Sequence, residues 1–229
     1  MRKWEDLPKE MQTTEVREYY DILSKKKISL VIKRLFDIIV SFVLLIVASP
    51  VFLILSIAIK LDSKGPIFYR QVRVTQYGEK FRIFKFRTMV QGADKGSQVT
   101  IGNDSRITRV GKVIRKCRLD EIAQLIDVLR GTMTFVGTRP EVVKYVEQYS
   151  AEMKATLLLP AGVTNLACIY YKDEADLLEG IEDVDATYVK TILPEKMKWN
   201  LKGLREFSFW GDIKLLFMTC LAVLGKDYK

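Results

Sequence analysis

The sequence predicts a helix-rich mixed α/β protein seated on a membrane by one kinked helix, with a small domain of strands and short helices on a single side. Three observations predict it. Residues 38–59 contain no charge, a stretch long enough to reach through a bilayer core as a helix. Basic residues crowd both ends of that stretch. Beyond it, apolar residues alternate over 67–87 and then recur at helical spacing over 109–129.

The 229 residues suffice for one good-sized core, or for one domain with an anchor. A formal net charge of +9 points to an anionic partner: nucleic acid, phosphorylated small molecules or a lipid surface. No histidine occurs anywhere, which excludes Ser-His triads, histidine general bases and histidine-ligated metals. Cys117, Cys168 and Cys220 form no C-x-x-C, so neither a zinc nor a dithiol redox motif is present. Catalysis in such a chain has to rest on carboxylates, lysines and arginines, with or without a hard cation.

Residues 1–28 are polar, with helix-like patterning over 14–23 and Lys25-Lys26-Lys27 near the end. They read as an N-terminal amphipathic extension. The apolar stretch follows too late, and without a small-residue cleavage site, for a secretory signal.

Residues 29–62 form the membrane segment. Lys25, Lys26, Lys27, Lys33 and Arg34 precede its uncharged part, and Lys60, Lys64, Arg70 and Arg73 follow. Short basic flanks stay in the cytoplasm, which a spanning helix satisfies on one side only. Pro50 cannot donate to the carbonyl of Ile46 and its ring crowds that turn, so the helix should kink at Ser49-Pro50. The Ser49 hydroxyl is available to a freed backbone group, as the bilayer interior requires. A helix that enters, bends and returns to the same face accounts for both observations. A single span with a tolerated kink remains open on these residues alone.

Residues 63–229 form the remaining domain. Two strands are expected over 67–74 and 81–87, joined by a turn at Gln76-Tyr77-Gly78, the second carrying Arg82, Lys85 and Arg87. Residues 91–105, rich in Gly, Asp, Ser and Asn, read as a loop. A helical pattern over 109–129 stops at Gly131. Pro140 opens another helix at a favourable first position. Residues 160–172 suggest loop and short strand. The apolar run 215–224 is too short to span and suits an interfacial or core helix.

Asp120-Glu121 follows Arg115, Lys116 and Arg118 and opens an apolar helical stretch. Acids in a first helical turn are commonplace because they complement the macrodipole, so the pair alone does not establish chemistry. A carboxylate at a helix N-terminus among cations has its ionised form favoured and can attack phosphorus. Two adjacent carboxylates can also hold Mg2+ while substrate phosphates complete its shell. Arg106, Arg109, Arg115, Arg118 and Arg139 offer paired donors to phosphate oxygens. Each is equally compatible with a solvated basic face or with attraction to anionic lipid.

Taken together, these stretches resemble the bacterial sugar transferases, the monotopic polyprenyl-phosphate phosphoglycosyl transferases. Carrying the likeness are Lys33-Arg34-Leu35-Phe36-Asp37, Ser49-Pro50, Gly65-Pro66-Ile67-Phe68, Gln71-Val72-Arg73 and Phe84-Lys85-Phe86-Arg87-Thr88-Met89. Arg106-Ile107-Thr108-Arg109-Val110-Gly111, Leu119-Asp120-Glu121 with Gln124-Leu125, and Val136-Gly137-Thr138-Arg139-Pro140-Glu141 follow in order. The resemblance implies a re-entrant membrane helix broken at Ser49 and Pro50 and a small cytoplasmic catalytic domain. It implies Asp120 as nucleophile with Glu121 as its partner, both at a Mg2+ site. Lys85, Arg87, Arg115 and Arg139 fall on basic positions expected to bind substrate phosphate.

The implied reaction moves a sugar-1-phosphate from a UDP-sugar to undecaprenyl (polyprenyl) phosphate through an aspartyl-phosphosugar, the first membrane step of a surface polysaccharide or glycoconjugate pathway. The implied place is the cytoplasmic face of the bacterial inner membrane. The chain departs from the family over 159–168, where an arginine, a glycine and a glutamine are lost and Ala161 is inserted, which suggests an unusual donor. The competing reading is a non-catalytic, membrane-tethered basic protein binding nucleic acid or anionic lipid. Against it, the cations are interleaved with apolar residues and acids, and no nucleic-acid motif is evident; nucleic acid is not an expected partner.

Overall fold

A computed structural model of the chain describes residues 1–93, 105–171, 181, 183–223, 225 and 228. Most of the expected 91–105 loop, and the last residues of the expected 160–172 and 215–224 stretches, lie outside the described residues. The architecture is mixed and helix-rich, with one long apolar helix near the N-terminus.

Helix α1 (Thr14–Ser24) starts at Thr13, whose side chain accepts from the Val16 amide. Its apolar face, Val16, Tyr19 and Leu23, joins Leu7 and Met11 in one cluster with Tyr77, Leu158, Leu201, Leu204 and Phe207. The N-terminal segment is therefore packed on the domain formed by the later residues.

Helix α2 (Lys27–Asp62) runs unbroken through Pro50. At the expected break, Ser49-Pro50, the helical assignment continues, and Ser49 Oγ donates to the Ile46 carbonyl at 2.8 Å. That is the carbonyl which Pro50 cannot reach with an amide. The helix is anchored at both ends and bare between them. Near its start, Lys33 Nζ donates to Val136 O at 2.8 Å and to Asp212 at 2.6 Å, and Arg34 donates to the Val128 and Leu129 carbonyls. Asp37 accepts from Thr134 Oγ1 at 2.6 Å. Near its end, Leu55 and Ile59 pack with Phe84, Phe86, Ile114 and Ala123. In between, Phe42, Val43, Ile46, Val47, Leu53 and Ile54 are exposed, an apolar surface far larger than soluble proteins leave uncovered.

Strands β1 (Phe68–Val74) and β2 (Lys80–Phe86) pair antiparallel, Tyr69 opposite Lys85, and the chain reverses between them at Gln76–Gly78. Gly65 precedes the hairpin because a β-carbon there would meet the Arg87 guanidinium at 2.0 Å. After α3 (Arg109–Lys116) the expected helix is interrupted. Arg118 adopts φ 53°, a 3-10 turn runs from Leu119 to Gln124, and α4 (Leu125–Arg130) resumes the path to Gly131. The five-residue step from Ile114 to Leu119 breaks the helical period, which is the sequence trace of this interruption.

Strand β3 (Met133–Val136) pairs in parallel with β4 (Ala161–Thr164). The helix expected to open at Pro140 starts later, as α5 (Val143–Val146): residues 138–142 are not helical, and Val142 has extended backbone angles. Short α6 (Leu166–Tyr170) and α7 (Val184–Thr187) follow. A π-helical turn (Tyr188–Ile192) then leads into α8 (Leu193–Arg205). The last helix, α9 (Phe209–Val223), buries no residue fully and exposes Trp210, Phe217 and Val223. It meets α2 through Lys33–Asp212 and the Phe36–Phe209 ring pair.

Candidate active site

The turn Leu119–Gln124 lies against β2 and carries both acids. Glu121 points inward. Its Oε1 accepts from Lys85 Nζ at 2.9 Å and from Arg139 Nη2, and its Oε2 accepts from Arg139 Nη1 at 3.3 Å. Burial pushes the Glu121 carboxyl up, yet Arg139 and Lys85 outweigh it and hold the group well below the usual carboxylate range. Glu121 in turn drives Arg139 above its ordinary value. Burial depresses the Lys85 ammonium, with Glu121 opposing.

Asp120 lies at the wall of a cleft of about 860 Å3, which Arg73, Lys85, Arg106, Arg115 and Lys144 also line. Its ionisation differs from the sequence expectation. Burial, reinforced by the Glu121 charge, raises the Asp120 carboxyl, and Lys85 and Arg115 only partly offset this. Of these two cations Lys85 is already paired with Glu121, and Asp120 sits in a 3-10 turn instead of a long helix whose dipole would help it.

Of the other expected residues, Arg115 lines the cleft and has no hydrogen-bond or ion-pair partner among the described residues. Arg87 also lines the cleft. Its guanidinium donates to Ser63 O at 2.7 Å, Ser63 Oγ at 2.9 Å and Lys64 O at 2.8 Å, capping the end of α2. Arg109 and Arg118 are exposed and do not line the cleft. Sequence reasoning overlooked Arg73 as a site residue, although it stands in the Gln71-Val72-Arg73 motif. Arg73 is fixed by Gln71 Oε1 at 2.7 Å and Pro140 O at 3.1 Å.

The 159–168 stretch supports this centre from behind. Gly162 N donates to Thr138 O at 2.8 Å, and Asn165 Nδ2 donates to Gly137 O at 3.2 Å. A β-carbon at Gly162 would meet the Gly137 backbone at 2.2 Å, so β4 presses on the loop that presents Arg139. Burial raises the Cys168 thiol, with Arg139 opposing.

No group of three or more metal-ligating side chains occurs among the described residues. Both Glu121 oxygens accept from cations, Lys85 and Arg139. Asp120 alone faces the cleft, and one carboxylate with substrate phosphates matches the way Mg2+ is commonly held.

Comparison with known proteins defines the class. Residues 28–226 match the family described as bacterial sugar transferase, and the chain belongs to that family. It is 39% identical over 198 residues to a UDP-glucose:undecaprenyl-phosphate glucose-1-phosphate transferase of Klebsiella pneumoniae, covering 84% of this chain and 40% of that protein. A protein of the same description in Escherichia coli K12 is 36% identical, covering 82% and 39%. An N-acetylgalactosaminephosphotransferase of Aeromonas hydrophila, described as using UDP-N-acetylgalactosamine and undecaprenyl phosphate, is 34% identical, covering 84% and 44%. The chain spans about two fifths of the length of these curated relatives.

Proposed function

We propose that this chain transfers a sugar-1-phosphate from a UDP-sugar to undecaprenyl phosphate, with Asp120 as the nucleophile. The observation that carries the reading is the position of Asp120: the acid bordering a cation-lined cleft, backed by a Glu121 that neutralises Lys85 and Arg139. In the first displacement an Asp120 oxygen bonds to the β-phosphorus, the bond to the bridging oxygen breaks, and UMP leaves with the electron pair. In the second, an oxygen of the lipid phosphate bonds to the same phosphorus and the Asp120–phosphorus bond breaks, restoring the carboxylate. Neither displacement requires a general base, which suits a chain without histidine.

Arg115, Arg106 and Arg73 offset phosphate charge along the cleft, and Glu121 keeps Lys85 and Arg139 fixed behind the nucleophile. Mg2+ would be held by Asp120 with the substrate phosphates, and when bound it supplies charge neutralisation at the diphosphate. The raised Asp120 carboxyl is consistent with such a site, since a nearby cation favours its ionised form.

The same reading places the chain on the cytoplasmic face of the bacterial inner membrane with α2 re-entrant. Support comes from the packing of both ends of α2 on one domain, Lys33 to Asp37 on β3 and α4, and Leu55 and Ile59 on β2 and α3. A straight crossing would put those ends on opposite sides of about 30 Å of hydrocarbon.

The test incubates the chain in lipid nanodiscs with Mg2+, undecaprenyl phosphate and a panel including UDP-glucose and UDP-N-acetylgalactosamine. UMP release is expected with at least one donor, together with a phosphosugar adduct on the Asp120 peptide when acceptor is withheld. Asp120→Asn should abolish both. Full turnover by that variant, or no UMP from any donor, refutes the reading.

A further inference from the structure

Resting on that reaction, we infer that Lys196 and Tyr188 are positioning residues for it: through Glu141 they hold the 139–141 segment, and Arg139 with it, in place behind Asp120. The three side chains form a second buried polar cluster, apart from the one at Glu121. Glu141, Tyr188 and Lys196 are 8%, 4% and 7% exposed. Tyr188 OH donates to Glu141 Oε1 at 2.6 Å, and Lys196 Nζ donates to the same hydroxyl at 3.0 Å. Lys196 Nζ also stands 3.8 Å from Glu141 Oε1. None of the three lines the cleft, so any part they play passes through their neighbours.

Those neighbours do reach the cleft. Glu141 follows Arg139 and Pro140 directly and precedes Val142 and Val143, which line it. The Glu141 carbonyl accepts from Val74 N at 3.0 Å. Its Oε2 stands 3.9 Å from Arg73 Nη1, which donates to the Pro140 carbonyl at 3.1 Å. The segment is thus tied before Arg139 by Gly162 N donating to Thr138 O at 2.8 Å, and after it by Glu141. Between the two ties Arg139 clamps Glu121, the residue next to Asp120.

Tyr188 and Lys196 stand eight residues apart on one face of the helical run that leads from the Tyr188–Ile192 turn into α8. Tyr145 packs on the Tyr188 ring with centroids 4.6 Å apart. A buried ion pair adds little stability over apolar residues of the same volume. What this one supplies is direction, since it holds one carboxylate from α8 while that carboxylate ends the segment carrying Arg139. Direction matters at a reacting phosphorus, where a misplacement of about 1 Å can cost a hundred-fold in rate.

The test reads rate, affinity and local opening together. Wild type, Tyr188→Phe, Lys196→Met and the double variant, each as the full chain in nanodiscs, are mixed with a UDP-sugar that the wild type accepts. Adduct formation on Asp120 is followed in a single turnover. Tyr188→Phe keeps the ring against Tyr145 and removes only the hydroxyl. It should slow adduct formation about ten-fold, the scale of a lost hydrogen bond to a charged group, and leave the donor concentration for half-maximal rate within about two-fold of wild type. Lys196→Met should slow it at least as much. The double variant should fall no further than the larger single loss, because both side chains act through one carboxylate. Should Lys196→Met fail to fold, Tyr188→Phe decides alone. Unchanged rates, a loss confined to donor affinity, or multiplied losses in the double variant overturn the inference. Hydrogen exchange at the Val74 amide, which bonds the Glu141 carbonyl, should quicken in the same variants, and unchanged exchange overturns it equally. A wild type that forms no adduct with any donor refutes the catalytic reading, while the exchange result still decides whether Lys196 and Tyr188 hold the segment.

Discussion

The two sides of the Leu119–Gln124 turn set identical chemical groups in opposed surroundings. On the inner side, Glu121 is a carboxylate whose burial is more than offset by two cations. On the cleft side, Asp120 is a carboxylate whose burial is not offset, and its neighbour's charge adds to the penalty. The difference teaches that the pair divides its labour. One acid holds Lys85 and Arg139 together, and the other stands at the cleft wall in a charged state that burial disfavours. Sites that carry function commonly accept such a cost.

Stability measurements can break or sharpen that contrast. The largest effect is expected from Glu121→Ala, which strands Lys85 and Arg139 without their counter-charge. Breaking a largely buried ion pair from one side costs about 3 kcal/mol, read as a shifted denaturant midpoint. A loss under a few tenths would mean that the cluster is solvated and the inner side resembles the outer. Next comes Arg139→Lys, which keeps the charge and removes the two-pronged contact to both Glu121 oxygens. About 1–2 kcal/mol is expected, because an ammonium cannot reproduce that fork.

Asp120→Asn should act in the opposite sense, stabilising the fold by up to about 1 kcal/mol at neutral pH in chelator. The sign follows from linkage. A carboxyl whose folded pKa is raised favours the folded state while protonated, and that contribution is lost as pH rises through the folded value. The advantage of the asparagine variant should therefore shrink as pH falls toward the ordinary aspartate value of 3.8. An advantage that grows toward acid would show that Asp120 is stabilised as an anion. The smallest effect belongs to Arg115→Gln. It removes one of the charges that favour ionised Asp120, so the pH at which that advantage fades should move upward. No movement would separate Arg115 from Asp120.

Much of the fold was legible because it rests on local periodicity. Alternation over 67–87 located the β1–β2 hairpin with its turn at Gln76–Gly78, and the uncharged stretch located α2. Other features were illegible for identifiable reasons. Pro50 marked the weak turn of α2, but only the structure shows the Ser49 hydroxyl bonded to the Ile46 carbonyl there. Pro140 suited a helix start, but residues 138–142 are not helical, and the Pro140 carbonyl accepts from Arg73 instead. Arg87 and Arg139 were indistinguishable as basic residues in motifs. Only their surroundings separate an arginine that caps a helix end from one that clamps a carboxylate.

By itself the sequence determined the inventory: an apolar helix with basic flanks, no histidine, and an ordered set of motifs sufficient to place the chain in its family. It also determined the local elements, since strand and helix periods are written in neighbouring residues. Tertiary structure alone decided which acid faces the cleft, which cations are already spent, and that both ends of α2 rest on one domain. Those outcomes depend on contacts between residues far apart in the chain, such as Lys85 with Glu121 and Lys33 with Asp212. Burial and charge compensation are properties of that surrounding shell, and no short window of sequence contains it.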